Sequence, residues 1–131
     1  MFVDASALTG ILANEADARD LLGRLERASV RLTSPLAVWE TTLALARMLG
    51  IEIQAASQAV EAFLPVVQIE VMSIAPETRS IAIDAYERFG KSRHPAALNF
   101  GDCFAYACAW QAGVPLLYKG DDFSRTDIET A

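Results

Sequence analysis

The sequence predicts an α/β fold: a parallel sheet covered by helices on both faces. Three observations lead there. Short apolar runs of strand composition alternate with stretches of helical period, with no repeats or low-complexity segments between them. The helical stretches carry their own start and stop residues. The first and last apolar runs each lead into aspartates, at the strand edge where such folds bind ligands.

Taken in order, Met1–Asp4 is a strand of apolar residues stopped by a carboxylate, and Asp4-Ala5-Ser6 suits a strand-to-helix turn because Asp and Ser are favoured caps. Ala16–Ala28 carries Leu21, Leu22 and Leu25 at helical spacing. Val30–Thr33 is a second short strand. Ser34-Pro35 gives a cap and a first-turn proline for a helix that runs to about Leu49 and ends at Gly50. Ile53–Leu64 reads as a helix stopped by Pro65, and Val66–Ile74 alternates as a third strand. Pro76 starts a helix through Ile81, Ile83, Ala85 and Phe89, closed by Gly90. Lys91–Gly101 is read as an irregular loop, Asp102–Ala112 as a helix of small residues, and Leu116–Tyr118 as the last strand.

The 131 residues suit one domain, and a 53% apolar content excludes a disordered chain. No apolar run is long enough for a membrane span. No basic region precedes the first strand, so no removable leader is expected. Cys103 and Cys108 fall on different faces of a helix and lack partners for a zinc site, His94 being the only histidine. Both are expected to be buried thiols of a cytoplasmic protein. The net charge of −6 argues against a broadly basic nucleic-acid surface; it calls for a small substrate footprint or a basic partner.

The chemistry is expected among the acids. Asp4 ends the first strand, Asp102 opens a helix, and Asp121-Asp122 follow the last strand. Glu40 has Leu36, Ala37, Leu43 and Ala44 as its helical neighbours, apolar company in which an unpaired charge is costly. Gathered carboxylates need a compensating cation, and oxygen ligands with open positions select Mg²⁺ or Mn²⁺. That combination predicts metal-dependent phosphodiester cleavage. Ser6 is placed to orient Asp4 or a water. Arg88, Lys91 and Arg93, beside His94, and Lys119 with Arg125 are the candidates for phosphate contacts. Trp39, Leu43 and Ala46 read as core rather than as a base-stacking platform. Val38, Leu45 and Leu49 add a second apolar face, which implies deep burial or a subunit contact.

Four segments resemble PIN-domain ribonucleases: Met1-Phe2-Val3-Asp4-Ala5-Ser6-Ala7-Leu8, the helix from Ser34 to Glu40, Leu98-Asn99-Phe100-Gly101-Asp102-Cys103-Phe104-Ala105-Tyr106-Ala107, and the closing stretch from Leu116 to Ile128. The last, with Lys119-Gly120-Asp121-Asp122-Phe123-Ser124-Arg125, is similar to the VapC toxins of type II toxin–antitoxin pairs. The resemblance covers essentially the whole chain and implies a single PIN domain over residues 1–131, a three-layer α/β/α sandwich with a central parallel sheet. Asp4, Glu40 and Asp102 match the family's acidic residues. The fourth acid is Asp121 or Asp122, both of which are candidate ligands; Asp121, nearer the strand end, is preferred. The family implies an endoribonuclease using Mg²⁺ or Mn²⁺ on transfer, ribosomal or messenger RNA, a VapB-like antitoxin partner, and a homodimer. Two other functions fit some of these residues. A haloacid-dehalogenase-like phosphatase also places an aspartate after its first strand, but carries a second one where Ser6 stands. A metal-binding regulatory module would need the acids without turnover.

Overall fold

The computed structural model describes residues 1–131. Four short strands, β1 (Phe2–Val3), β2 (Leu32–Thr33), β3 (Glu70–Val71) and β4 (Leu116–Leu117), form one sheet in the order β3-β2-β1-β4, with every pairing parallel. Six helices surround it: α1 (Ala5–Leu12), α2 (Ala18–Arg27), α3 (Pro35–Leu49), α4 (Ile53–Val66), α5 (Thr78–Phe89) and α6 (Phe100–Ala112).

The layering follows from the period-two alternation of the strands. Phe2 and Leu116 face one core with Ala82, Ala85 and Phe89 of α5 and Tyr106 of α6. Val3 and Leu117, one residue later, face the other with Leu8 of α1, Leu21 and Leu25 of α2, Leu45 of α3 and Val60 of α4. The sheet is therefore the middle of an α/β/α sandwich, and each fully buried Leu, Phe or Val contributes roughly 1.5–3 kcal/mol to it. Ladder bonds are few because the strands are short. Thr33 adds one by donating its hydroxyl to the Val3 carbonyl at 2.9 Å, inside the core.

The strand and helix order agrees with the expectation from sequence, with informative differences. Helix α1, beyond the turn expected at Asp4-Ala5-Ser6, is a full helix of eight residues that include Ala, Ser, Thr and Gly. Helix α2 starts at Ala18 rather than Ala16. Pro65 does not stop α4 at Leu64. It is accommodated in the last turn; the helix ends at Val66, and the chain turns away at Gln68, φ +55°. That extension and turn shorten the expected strand Val66–Ile74 to Glu70–Val71. Helix α5 begins at Thr78, after a turn through Pro76 and Glu77, and the Thr78 hydroxyl bonds Gln111 of α6 at 2.7 Å. The segment between α5 and α6 is tied down: Lys91 donates to the Leu98 carbonyl at 2.9 Å, and Leu98 to that of Phe89 at 3.0 Å.

Arg31, just before β2, is a second clamp. Its guanidinium donates to the carbonyls of Ala28, Glu26 and Val67 at 2.9, 3.0 and 2.8 Å, tying the end of α2 to the turn after α4. Charge-assisted bonds of this kind are worth more than neutral ones. Arg31→Ala is expected to cost roughly 1–3 kcal/mol, read as a lower urea midpoint at unchanged m-value.

Candidate active site

Strand β1 ends at Val3, and Asp4 caps α1. Its Oδ2 accepts the backbone N–H of Ser6 at 2.9 Å and the Ser6 hydroxyl at 2.5 Å. The same hydroxyl oxygen accepts the backbone N–H of Lys119, just past β4, at 3.0 Å. One serine thus joins the ends of the two central strands and fixes a carboxylate that is only 5% exposed. Beta1 lies between β2 and β4, so the chain winds away from it in both directions. The crevice at that switch point is the usual ligand site of an open parallel sheet.

Glu40 enters from α3, whose start is set by Ser34 accepting the Ala37 N–H at 3.1 Å and by Pro35 in the first turn. Burial first, then the charges of Asp4 and Asp102, push its carboxyl up to about 7. Asp102 is the third residue of α6 and half of a capping box. Asn99 Oδ1 accepts its N–H at 3.0 Å, and Asp102 Oδ2 accepts that of Asn99 at 2.9 Å. Burial pushes Asp102 up to about 6; the Asn99 bond opposes this, and Asp4 and Asp122 add to it. Asp4 is pushed up as well, by burial above all and also by Asp122, against its bonds from Ser6.

Gly101 explains how α6 and α3 come so close. A Cβ there would run into the Glu40 carboxylate. A helix position that would normally favour alanine is left without a side chain so that the first turn of α6 can rest on that acid.

The structure therefore couples Glu40 to Asp4 and Asp102, and the charge of Asp122 reaches Asp4 and Asp102. Asp121, preferred from sequence as the fourth acid because it is nearer β4, is exposed beside Asp122. Gly120 turns at φ +93°, and Asp122, one residue on, is the one whose charge reaches Asp4 and Asp102. The Asp121 carbonyl accepts the Ser124 hydroxyl at 2.6 Å.

Among the expected phosphate-binding residues, Lys119 lines the cleft, but its ammonium is held by Glu15 at 2.7 Å and Asp17 at 3.3 Å. Arg88 is engaged elsewhere, paired with Asp127 and, at 3.4 Å, with Asp84. Lys91 and Arg93 are exposed on the segment before α6 and do not line the cleft.

The cleft encloses about 630 Å³ and reaches from Asp4, Glu40 and Asp102 along α3 to Arg47 and Met48. Trp39 also lines it and is 59% exposed, so it is not the core residue its spacing implies. Asn99, Gly101 and Arg47 were not singled out as site residues from sequence, and Trp39 was read as core. Only the Asn99-x-x-Asp102 capping pattern was readable there.

An ion fits this donor set chemically. The ligands are carboxylate oxygens crowded enough to hold protons near neutrality, and the half-buried Glu40 carboxylate has no hydrogen-bond donor to offset its charge. As placed here, no three His, Cys, Asp or Glu side chains are grouped closely enough to hold an ion between them. Such oxygen sites suit a hard ion that keeps waters of its own.

The chain matches the PIN domain family over residues 1–129. It belongs to the PIN-domain family. A VapC ribonuclease of Rhizobium meliloti is 40% identical over 139 residues, covering 97% of this chain and 98% of that protein. Ribonuclease VapC30 of Mycobacterium tuberculosis is 35% identical over 130 residues, covering 99% and 97%. The crystal structure of Mycobacterium tuberculosis VapC20, a Sarcin-Ricin loop cleaving toxin, superposes with a TM-score of 0.78 over 99% of this chain and 97% of that one, at 21% identity. The PIN domain here thus shares the α/β/α sandwich of a VapC protein, and its near relatives are VapC ribonucleases.

Two measurements probe the geometry of this PIN domain. Raised carboxyl pKa values favour folding where the groups are protonated, and that advantage is lost as pH rises from the ordinary carboxylate range through about 7. In EDTA, the melting temperature should therefore fall from pH 5 to 7.5. Glu40→Gln should flatten the slope and raise the pH 7.5 melting temperature by about 3–5 °C. Gly101→Ala should lower the urea midpoint although alanine is the better helix former, and Glu40→Ala should remove most of that loss; additive effects would mean the two sites do not touch.

Proposed function

We propose that this PIN domain is a Mg²⁺- or Mn²⁺-dependent endoribonuclease, the toxic member of a toxin–antitoxin pair. The reading rests on the coupled carboxylates of Asp4, Glu40 and Asp102 at the sheet's switch point, with the charge of Asp122 reaching Asp4 and Asp102, supported by full-length similarity to VapC ribonucleases. The match over residues 1–129 favours it over a phosphatase of haloacid-dehalogenase type.

Asp4, Glu40, Asp102 and Asp122 would hold the ion. When bound, it supplies Lewis acidity to a phosphodiester and a water of lowered pKa. The chain's own residues then have separate tasks. Ser6 keeps one oxygen of Asp4 in place, leaving that carboxylate a single orientation towards the cleft. Asp102, held by Asn99 through its Oδ2, is fixed from the opposite wall. Glu40, whose carboxylate has no hydrogen bond of its own, is free to accept the proton of the attacking water. Asp4 and Glu40 are partly or wholly removed from bulk solvent, which strengthens each of these interactions.

An acidic cleft of this kind also suits inhibition by basic side chains. We propose a VapB-like antitoxin as the partner and a homodimer as the assembly. No helix is long and apolar enough to cross a membrane.

Cleavage of total and transfer RNA with Mg²⁺ or Mn²⁺, beside an EDTA control, tests the reading. Asp4→Asn, Glu40→Gln and Asp102→Asn should each abolish cleavage with the fold intact by circular dichroism, and Asp122→Asn should do more damage than Asp121→Asn. Ser6→Ala should slow cleavage by about 10–100-fold, as expected for a residue supporting a ligand. RNA cutting that persists in EDTA, or in the Asp4 variant, would remove the acid cluster from the mechanism.

A further inference from the structure

We propose that Trp39 and Arg47 form the track along which single-stranded RNA enters the cleft. Trp39 stacks an unpaired base beside the scissile phosphate, and Arg47 holds a backbone phosphate farther out. The inference deepens the ribonuclease reading and rests on it.

Helix geometry supplies the first argument. Trp39, Leu43 and Arg47 are spaced by four, so they form one stripe of α3, and all three line the cleft that holds Asp4, Glu40 and Asp102. Two turns of helix set Arg47 roughly 12 Å from Trp39 along the axis. The stripe therefore leads from the acids towards the outer end of the cleft.

Exposure supplies the second. The indole is 59% exposed although Leu45 and Ala46 of the same helix are buried in the core. A large aromatic surface left in water at the mouth of a cleft is a surface available for a flat partner. Nucleobases stack on such side chains with little regard to sequence, and a base must be unpaired to offer its face.

Charge supplies the third. A polyanion approaching four carboxylates needs a cation on the way in. The cleft has two, and Lys119 is bound to Glu15 and Asp17. Arg47 makes no ion pair, which leaves its guanidinium free for a phosphate. A small cationic footprint on an otherwise acidic protein also fits the net charge of −6.

The test uses the Asp102→Asn protein, so that RNA is not consumed, titrated with a short single-stranded RNA oligonucleotide in Mg²⁺. The chain has two tryptophans, and Trp110 stacks on Tyr106 with ring centroids 5.9 Å apart, outside the cleft. In a Trp110→Phe background, RNA should quench the remaining tryptophan fluorescence, and a duplex of the same sequence should quench it less. Trp39→Ala should weaken binding about tenfold and Trp39→Phe much less. Arg47→Ala should weaken binding and lower the salt dependence by about one phosphate contact, with Arg47→Lys restoring part of it.

Unquenched Trp39, or Trp39→Ala binding as tightly as its parent, overturns the track. Should Trp39→Ala fail to fold, the quenching and Trp39→Phe measurements still decide. The active enzyme separates the two levels of inference. RNA cleavage with unchanged KM in Trp39→Ala and Arg47→Ala sinks the track and leaves the nuclease standing. Neither binding nor cleavage of RNA by the intact protein sinks both.

Discussion

Carboxylates crowded at the carboxyl edge of a small parallel sheet set the terms for the rest of this structure. Each is partly desolvated, each feels at least one of the others, and the elements around them act against the resulting repulsion. In water such groups would separate and ionise independently. Here Asp4 is held by the turn from β1 into α1, Glu40 by the capped start of α3, and Asp102 by the capping box of α6. Every one is fixed by a helix N-terminus or its first two turns. Helix beginnings favour negative charge, so the backbone itself offsets some of the cost.

Two small residues make the crowding geometrically possible. Ser6 uses its hydroxyl in both directions, donating to Asp4 and accepting from the chain after β4, so the two acidic ends of the sheet share a fastening point. Gly101 permits the backbone of α6 to approach the Glu40 carboxylate where any side chain would overlap it. Elsewhere, charge serves stability. Arg31 closes three carbonyls at the β2 side of the sheet, while Arg88 and Tyr106 hold Asp127, anchoring the chain that follows β4. The loop bearing Asp122 is therefore tethered at both ends, by Ser6 at Lys119 and by Asp127.

Much of this was legible in the sequence because it rests on local rules. Ser34-Pro35 and Gly50 mark helix ends through capping and left-handed backbone, and the structure uses Ser34 and Gly50 in those ways. Asp4, Glu40 and Asp102 were legible for another reason: acids at element ends, or in apolar company, conflict with burial unless something resolves them. The rest depends on tertiary placement. Helix α1 is only eight residues long, and five of them are buried. Trp39 shares the spacing of core residues, yet α3 turns that stripe towards the cleft. Whether Asp121 or Asp122 meets the other acids depends on the turn at Gly120, which no periodicity encodes. Arg88 and Lys119 read as free cations, but their partners Asp127, Glu15 and Asp17 come from distant parts of the chain.

The net negative charge, which first argues against a nucleic-acid role, has a different meaning once its position is known. An acidic cluster repels RNA only while its charges are uncompensated, and groups with carboxyl pKa values near 6 and 7 are already partly protonated at neutrality. Filling the site with a divalent ion would reverse the local sign where a phosphate must sit, without any change in the surface beyond it. The remaining acidic surface then acts against loose, non-specific binding, which is driven by phosphate contacts wherever cations are abundant. Affinity must come from a few directed contacts near the cleft instead. A protein built this way gains selectivity for substrates that can enter the cleft, and it leaves its acids open to any basic segment that fits there.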